Sequence, residues 1–324
     1  MDALELIRKP IMNEMKHFRD QFDASLQHTN PLLGSALRLV SKRTGKMMRP
    51  MLTILSSRLF GKANDNVYYA ASTFEFFHTA SLLHDDVVDE SNQRRGEASI
   101  NSAYSNQVAV LVGDFILALA LLNASKTGSP KLVETFSIAA QNLADGELEQ
   151  LDNVNNKSFS EDIYYHIIKN KTAALFAACA ESGARFGGAS ESDIEVMRNF
   201  GEIVGIIFQI RDDIFDYNED SAIGKPTGND MKEGKLTLPV IYALNSTQDE
   251  SMKALALKVK EGEVTDGEIA TLVEFTKANG GIEYAQQVMA ELSDKAKSLL
   301  NVYPDSDVKQ ALYAYVDYVV GRSL

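Results

Sequence analysis

Apolar residues recur at helical spacing along the whole chain, and the strict two-residue alternation of half-buried strands does not recur. The pattern predicts helices over about 2–28, 32–44, 48–60, 66–90, 101–124, 131–151, 160–187, 191–219, 235–246, 249–261, 266–279, 282–300 and 305–321. Breaks fall at Asn30-Pro31, Gly61, Gly96, Gly128-Ser129-Pro130, Gly187-Gly188, Gly224-Lys225-Pro226 and Gly280-Gly281. No stretch reads as an interdomain linker, a low-complexity segment or a solenoid repeat. The expected architecture is all-α, a helical bundle in a single domain over 1–324, with metal or cofactor sites between facing helices.

At 324 residues the chain is long enough to bury a sizeable core, and 45% hydrophobic with 24% charged residues excludes a disordered protein. The net charge of −13 argues against a nucleic-acid partner. An acidic chain that takes an anionic ligand must gather its basic residues locally. The single cysteine, Cys179, lies in an alanine-rich stretch and reads as a small core residue; a disulfide within the chain is excluded, which fits a cytoplasmic protein. The first 19 residues mix charged and apolar residues, unlike a signal peptide. The greasiest run, 108–124, is interrupted by Gly113 and Asp114 and falls short of the ~20 apolar residues a bilayer span needs, so it is expected to be a buried core helix and not a transmembrane segment. The C-terminal Arg322 is expected to belong to a frayed tail, the alternative being an arm folded over the active site.

Two clusters of identical spacing carry the chemistry: Asp85-Asp86-x-x-Asp89 and Asp212-Asp213-x-x-Asp216. Each follows an apolar-rich helical run, so Asp85 pairs with Asp89 and Asp212 with Asp216 on one helix face. Like charges so stacked require a compensating cation. Oxygen donors with no accompanying cysteine point to Mg²⁺, which takes one or two carboxylates and completes its shell with phosphate oxygens. A solvated acidic helix end would explain one such cluster more readily than two. Basic segments lie close by. Lys46 and Arg49 flank a helix start at Pro50, where free N–H groups favour anions. Arg94 and Arg95 follow the first cluster, and arginine forks suit phosphate oxygens. Lys225 and Lys235 flank a polar loop after the second cluster.

The stretch from Phe77 through His84-Asp85-Asp86-Val87-Val88-Asp89 to Arg94-Arg95-Gly96 resembles the first aspartate-rich motif of the all-trans isoprenyl (polyprenyl) diphosphate synthases. Gln209-Ile210-Arg211-Asp212-Asp213-Ile214-Phe215-Asp216-Tyr217 resembles the second. The resemblance extends in order through Lys46-x-x-Arg49-Pro50, Gly113-Asp114-Phe115, Lys171-Thr172, Gly224-Lys225-Pro226 and 235–239, and is strongest to long-chain members such as octaprenyl diphosphate synthase. It implies an isoprenoid synthase-type bundle of long helices around a central cavity, a homodimer, and transfer of an allylic prenyl group to isopentenyl diphosphate with three Mg²⁺ ions per active site.

Carried over by position, the resemblance implies that Asp85, Asp89 and Asp212 ligate Mg²⁺, with Asp86, Asp213 and Asp216 as direct or supporting partners. Arg94, Lys171, Lys225 and Lys235 would neutralise the allylic diphosphate. Lys46, Arg49, His78 and Arg95 would hold the diphosphate of isopentenyl diphosphate, and Thr172 and Gln209 would face the developing carbocation. One departure is visible: Thr44 and Met47 stand where the family usually has a glycine and an arginine.

Chain length is the sharpest question. Side chains facing down the cavity from Asp85 recur at Ser81, Phe77 and Phe74, with Ala80 beside Ser81. Members of the resembled family that stop early carry bulky aromatics at the Ala80 or Ser81 position; both are small here. At ~1.5 Å rise per residue, Phe77 lies about 12 Å and Phe74 about 16 Å below Asp85. The expectation is a product of about C30–C50, as a quinone side-chain precursor, released through an apolar exit near the dimer interface or through transient membrane contact. The alternatives are a shorter product of about C15–C20, the catalytic subunit of a heterodimeric synthase, and a class I terpene cyclase. The cyclase reading leaves Lys46, Arg49, His78 and Arg95 without a role.

Overall fold

The structure, a computed structural model, describes residues 3–43, 45–94, 96–153, 156, 158–217 and 227–322. The fold is all-α; among the described residues the strands are the antiparallel pair Gln93–Arg94 and Glu97–Ala98. Helices form largely where the periodicity marks them. The first predicted helix is split by a 3-10 turn at Lys9–Ile11, because Pro10 cannot donate to the helical ladder. The predicted 101–124 helix becomes Ile100–Ala103 and Asn106–Lys126, with the Ser105 side chain accepting from the Val108 N–H to start the second. The 160–187 run holds a π turn at Lys169–Ala173 between Glu161–Ile168 and Ala174–Gly187. The short strands and the Asn229–Lys232 helix carry no hydrophobic period and were not expected.

The contacts cluster into two compact units. One comprises Met1–Ala140, Phe176–Asn199 and Pro304–Ala314. Its central helix, Asp65–Val88, is buried around most of its girth from Val67 to Leu83, as a core helix with no solvent face must be. Phe22 stacks on Phe76 at 4.3 Å and Phe18 packs against Phe22 at 5.6 Å. Glycines set the closest helix approach. A Cβ at Gly183 would meet the Thr53 carbonyl oxygen at 2.1 Å, and one at Gly187 the Ser57 oxygen at 2.4 Å, so Met48–Phe60 lies backbone to backbone against that segment. Cys179 is fully buried, and burial pushes its thiol up to about 12.

The Asn106–Lys126 helix departs from expectation. It is 21 residues long, long and apolar enough to cross a membrane, and only 39% of its most apolar stretch is buried. One face packs inward through Ala109, Val112, Ile116 and Ala120, while Val110, Leu111, Leu121 and Leu122 are exposed. In place of the wholly buried core helix expected here stands a partly buried helix with two apolar faces.

The second unit comprises Gln141–Leu175, Phe200–Tyr303 and Tyr315–Leu324. Tyr217, Met231, Val240, Leu244, Val259 and Leu272 form its core cluster. Leu238–Thr247 begins with Pro239 in its first turn, which moves the start three residues past the predicted 235.

Candidate active site

The first aspartate cluster is placed by the end of a helix. Asn64 caps Asp65–Val88 by accepting from the Asn66 and Val67 N–H groups, and the helix runs to Val88. Asp85 is half-buried in the last turn, and Asp89 is exposed at the cap with its N–H on the Asp85 carbonyl oxygen at 2.8 Å. Carboxylates at a helix C-terminus meet the negative end of the macrodipole, a cost of about 0.3–1 kcal/mol each. Asp86 points inward and is 3% exposed. The short hairpin returns Arg94 to it, with Nε at 2.8 Å and Nη2 at 2.5 Å from Oδ1, and Asn101 donates to the Asp86 carbonyl oxygen at 3.1 Å. Gly113 leaves room for the His84 ring, whose Nε2 lies 3.4 Å from the Asp114 carboxylate; a Cβ there would sit 2.4 Å from that nitrogen.

Next to this cluster an open cleft of ≈ 590 Å³ brings His78, Asp86 and Arg94 together with Arg43 and Glu75. Arg43 and Glu75 were not singled out in the sequence. Lys46 is exposed, with its carbonyl accepting from Arg8 at 3.4 Å, and Arg49 lies over the Phe176 ring at 4.8 Å. Met47, between them, takes φ = 58°, a left-handed conformation uncommon for a side chain of its size.

The chain-length positions Phe74, Phe77, Ala80 and Ser81 are all buried. Ser81 Oγ donates to the His78 carbonyl oxygen at 2.9 Å, satisfying its hydroxyl within the helix. Phe77 meets Phe136 edge to face, with ring centroids 5.4 Å apart. Sequence reasoning missed Phe136, which carries only the ordinary apolar signal of a helix face.

The second cluster repeats the first. Glu191–Phe215 ends just before Asp216, again placing carboxylates at a helix C-terminus. Asp212 and Asp216 are half-buried, and Asp213 is 2% exposed. Asp213 Oδ2 accepts from the Tyr164 hydroxyl at 2.6 Å and Oδ1 from Gln209 Nε2 at 2.9 Å. Burial pushes the Asp213 carboxyl up to about 7; the two hydrogen bonds oppose the rise, and the Asp212 and Asp216 charges add to it. Asp216 accepts from the Asn229 and Asp230 N–H groups at 2.8 and 3.0 Å, so it caps the Asn229–Lys232 helix from a distance. In both clusters the middle aspartate is the buried anchor and the outer two are more open.

The π turn decides where Lys171 and Thr172 point. Its extra residue shifts the register of one long helical run, a device common at functional sites. It fits because Gly146 lies against it: a Cβ there would stand 3.0 Å from both Asn170 Cβ and Lys171 N. Lys171 Nζ donates to Glu147 at 2.8 Å and to Gln150 at 3.4 Å, and Thr172 Oγ1 donates to Gln209 Oε1 at 2.8 Å. An open cleft of ≈ 860 Å³ gathers Lys171, Thr172, Gln209, Asp213 and Lys235. Asp230 lines it too, its carboxyl raised well above the usual range, first by burial and then by the Asp213 and Asp216 charges. Lys235 donates to Glu233 at 2.6 Å. Lys225, Arg95 and Thr44 lie outside the described residues.

The donor set suits a hard divalent cation. Every candidate ligand is a carboxylate oxygen, and Asp212 is paired with a guanidinium, that of Arg322 at 2.5 Å. Among the described residues no three His, Cys, Asp or Glu side chains form a ready-made cage. A cation held by these carboxylates must therefore complete its shell with water or ligand oxygens, as Mg²⁺ does.

A family model described as polyprenyl synthetase matches residues 30–276. Octaprenyl diphosphate synthase of Escherichia coli is 37% identical over 281 residues, which is 86% of this chain and 86% of that protein. The crystal structure of a geranylgeranyl pyrophosphate synthase from Bacteroides thetaiotaomicron is 46% identical, covers 99% of this chain and 100% of that one, and gives a TM-score of 0.88. A polyprenyl synthase from Caulobacter crescentus, solved with calcium and isoprenyl diphosphate, is 31% identical over 99% of both chains with a TM-score of 0.92.

Proposed function

The chain belongs to the polyprenyl synthetase family, and from that premise we propose that it joins isopentenyl diphosphate to an allylic diphosphate in successive Mg²⁺-dependent steps, making an all-trans polyprenyl diphosphate. The observation that carries this reading is the repeated cluster geometry: each buried middle aspartate is anchored by its own partner, and the outer carboxylates stand at helix ends. Asp85 and Asp89 would hold metal in the first cluster and Asp212 and Asp216 in the second, while Asp86 and Asp213 fix the two helix ends. Both structural units lie largely within the 30–276 match, which supports treating the chain as one functional domain.

Bound Mg²⁺ supplies Lewis-acid stabilisation to the departing diphosphate. Lys171 and Lys235, with Lys225 and Arg94, neutralise the same charge as it develops. Thr172 and Gln209 turn oxygen atoms toward the allylic cation. Lys46, Arg49, His78 and Arg95 hold the second diphosphate. The isopentenyl double bond attacks the cation, and the proton lost leaves with the diphosphate, so no side-chain base is needed. Apolar walls keep water from the cation.

We assign a long product, about C30–C50, on the small Ala80 and Ser81 side chains and the long-chain names of relatives such as the octaprenyl enzyme. Such a product would serve as a quinone side-chain precursor. The Phe77–Phe136 contact favours a second reading, a floor two turns below Asp85 and a product near C20, the length named for the Bacteroides protein. A second copy of the chain would cover the exposed face of Asn106–Lys126, giving a homodimer. The lone buried cysteine is consistent with the cytoplasm, from which product release would need transient membrane contact.

The test is incubation of the purified chain with Mg²⁺, farnesyl diphosphate and labelled isopentenyl diphosphate, followed by sizing of the dephosphorylated products. A ladder ending at about C30 or beyond supports the long-chain reading, and one ending near C20 supports the second. No incorporation from any allylic primer sinks both.

A further inference from the structure

A relay of hydrogen bonds crosses the wall of the Lys171 cleft, and it begins at a residue no motif marks. The Tyr164 hydroxyl donates to Asp213 Oδ2 at 2.6 Å, Gln209 Nε2 donates to Asp213 Oδ1 at 2.9 Å, and Thr172 Oγ1 donates to Gln209 Oε1 at 2.8 Å. Tyr164 is 6% exposed on the Glu161–Ile168 helix, and its ring is set edge to face against Tyr165 with centroids 5.4 Å apart. The relay has one direction. While Asp213 is ionised both its oxygens accept, and the Gln209 amide then turns its nitrogen toward Asp213 and its oxygen toward Thr172. The Thr172 proton is thereby committed to Gln209. The remaining lone pairs on Thr172 Oγ1 and Gln209 Oε1 stay available to the cleft that both residues line.

We propose that Tyr164 is a positioning residue for prenyl transfer: its hydroxyl pins Asp213, Asp213 pins Gln209, and Gln209 fixes the Thr172 hydroxyl so that two oxygens face the allylic cation. The inference rests on the prenyltransferase reading and adds to it a buried residue at the cleft wall that acts through Asp213.

The cation has two fates that report on this. Attack by the isopentenyl double bond forms a C–C bond, and a proton leaves to diphosphate. Attack by water forms a C–O bond, gives the allylic alcohol, and likewise passes a proton to diphosphate. Oriented oxygens hold the cation for the first fate, so loosening them raises the share of the second.

The experiment measures allylic alcohol against elongated product for the wild type, Tyr164→Phe, Asp213→Asn and Tyr165→Phe. Asp213→Asn keeps a single acceptor oxygen and no charge, so it cannot accept from both Tyr164 and Gln209 in the same geometry, and it tests the same relay from its centre. Tyr164→Phe is expected to raise the alcohol-to-elongation ratio about tenfold and lower kcat about tenfold, with KM for isopentenyl diphosphate within about twofold and the melting temperature little changed. Asp213→Asn is expected to shift the ratio in the same direction. Tyr165→Phe should leave it at the wild-type value. The proposal is overturned if the ratio in Tyr164→Phe stays at the wild-type value, or if Tyr165→Phe moves it equally. Should Tyr164→Phe fail to fold, an unchanged ratio in Asp213→Asn overturns it as well. A wild type that makes neither product sinks the prenyltransferase reading instead.

Discussion

The Arg322 guanidinium lies 3.7 Å from the centre of the Phe208 ring and donates to the Asp212 carboxylate at 2.5 Å. Arg211 returns the contact, donating from Nε and Nη2 to the Arg322 carbonyl oxygen at 3.1 and 2.9 Å. The Arg322 side chain is 14% exposed, so this part of the C-terminus is docked and not frayed. The physical reason is the charge at the end of Glu191–Phe215. Aspartates there oppose the helix dipole, and a nearby guanidinium on an aromatic face offsets them.

A divalent cation held by Asp212, as proposed, would compete with Arg322 for that carboxylate. Arg322→Gln should therefore shift the midpoint of Mg²⁺-induced thermal stabilisation to about tenfold lower Mg²⁺, a coupling of about 1.4 kcal/mol. In EDTA the same variant should melt about 2–4 °C lower, as expected for loss of about 1 kcal/mol. A Mg²⁺ midpoint that does not move would mean that the arm and the cation do not share Asp212.

The inner and outer aspartates should separate by phenotype. Asp86→Ala leaves Arg94 without its buried carboxylate and should cost about 1.5–3 kcal/mol of stability in urea melts, with or without Mg²⁺. Asp85→Asn should leave the EDTA melt nearly unchanged, Asp212→Asn should lower it by no more than the loss of the Arg322 pair does, and both should remove most of the Mg²⁺-dependent gain. Equal loss of Mg²⁺ response in all three variants would place Asp86 among the metal ligands.

Product length should follow the stripe along Asp65–Val88. Ala80→Tyr or Ser81→Phe should shorten the product by filling the wall nearest Asp85. Phe136→Ala removes one ring of the edge-to-face pair and should lengthen it, at about 3–5 kcal/mol of stability if the cavity stays open. If sizing of the dephosphorylated products shows no change in any of the three, the stripe is not the wall of the product cavity.

Much of this was legible because its physics is local. The i, i+4 spacing of Asp85 and Asp89, repeated at Asp212 and Asp216, marks a charge problem that a cation relieves, and helical periodicity placed Asp65–Val88 and Glu191–Phe215 within a few residues. The rest depends on contacts distant in sequence. The π turn at Lys169–Ala173 reads as uninterrupted helix, and its enabling residue, Gly146, lies on another helix. Tyr164 and Phe136 sit at apolar helix positions, where a partner such as Asp213 or Phe77 leaves no trace in the pattern. Arg322 looked like a tail because nothing local holds it; Phe208 and Arg211 do.

Acid should weaken one helix start selectively. Thr265 and Glu268 form a capping box, with Glu268 accepting from the Thr265 N–H and hydroxyl, both at 2.9 Å, and from Lys258 at 2.8 Å. The Lys258 hydrogen bond, followed by those from Thr265, pulls the Glu268 carboxyl from 4.5 down to about 2. A folded pKa below the unfolded one stabilises the fold fully above about pH 4.5, and the gain is lost as pH falls through about 2. Glu268→Gln should thus be less stable than the wild type at neutral pH by a gap that closes as the pH falls between those values. A gap that stays constant in acid would show that the charge on Glu268 contributes nothing.

The exposed side of Asn106–Lys126 yields the last prediction. Leu111 is 66% and Leu122 49% exposed, and eleven residues at ~1.5 Å rise place them about 16 Å apart along a continuous face. A fully buried leucine is worth about 1.5–3 kcal/mol, so two per copy, duplicated by symmetry, are enough to matter to a dimer. Leu111→Lys with Leu122→Lys should raise the dimer dissociation constant by at least about 100-fold in sedimentation equilibrium. Neither side chain is buried within its own chain, so urea melts under conditions where the protein is monomeric should not change. A double variant that remains dimeric at the wild-type affinity would assign this face another occupant. Because the helix also passes the length and hydropathy requirements for a membrane span, flotation of the wild type with lipid vesicles, abolished by the same two lysines, would identify that occupant as lipid.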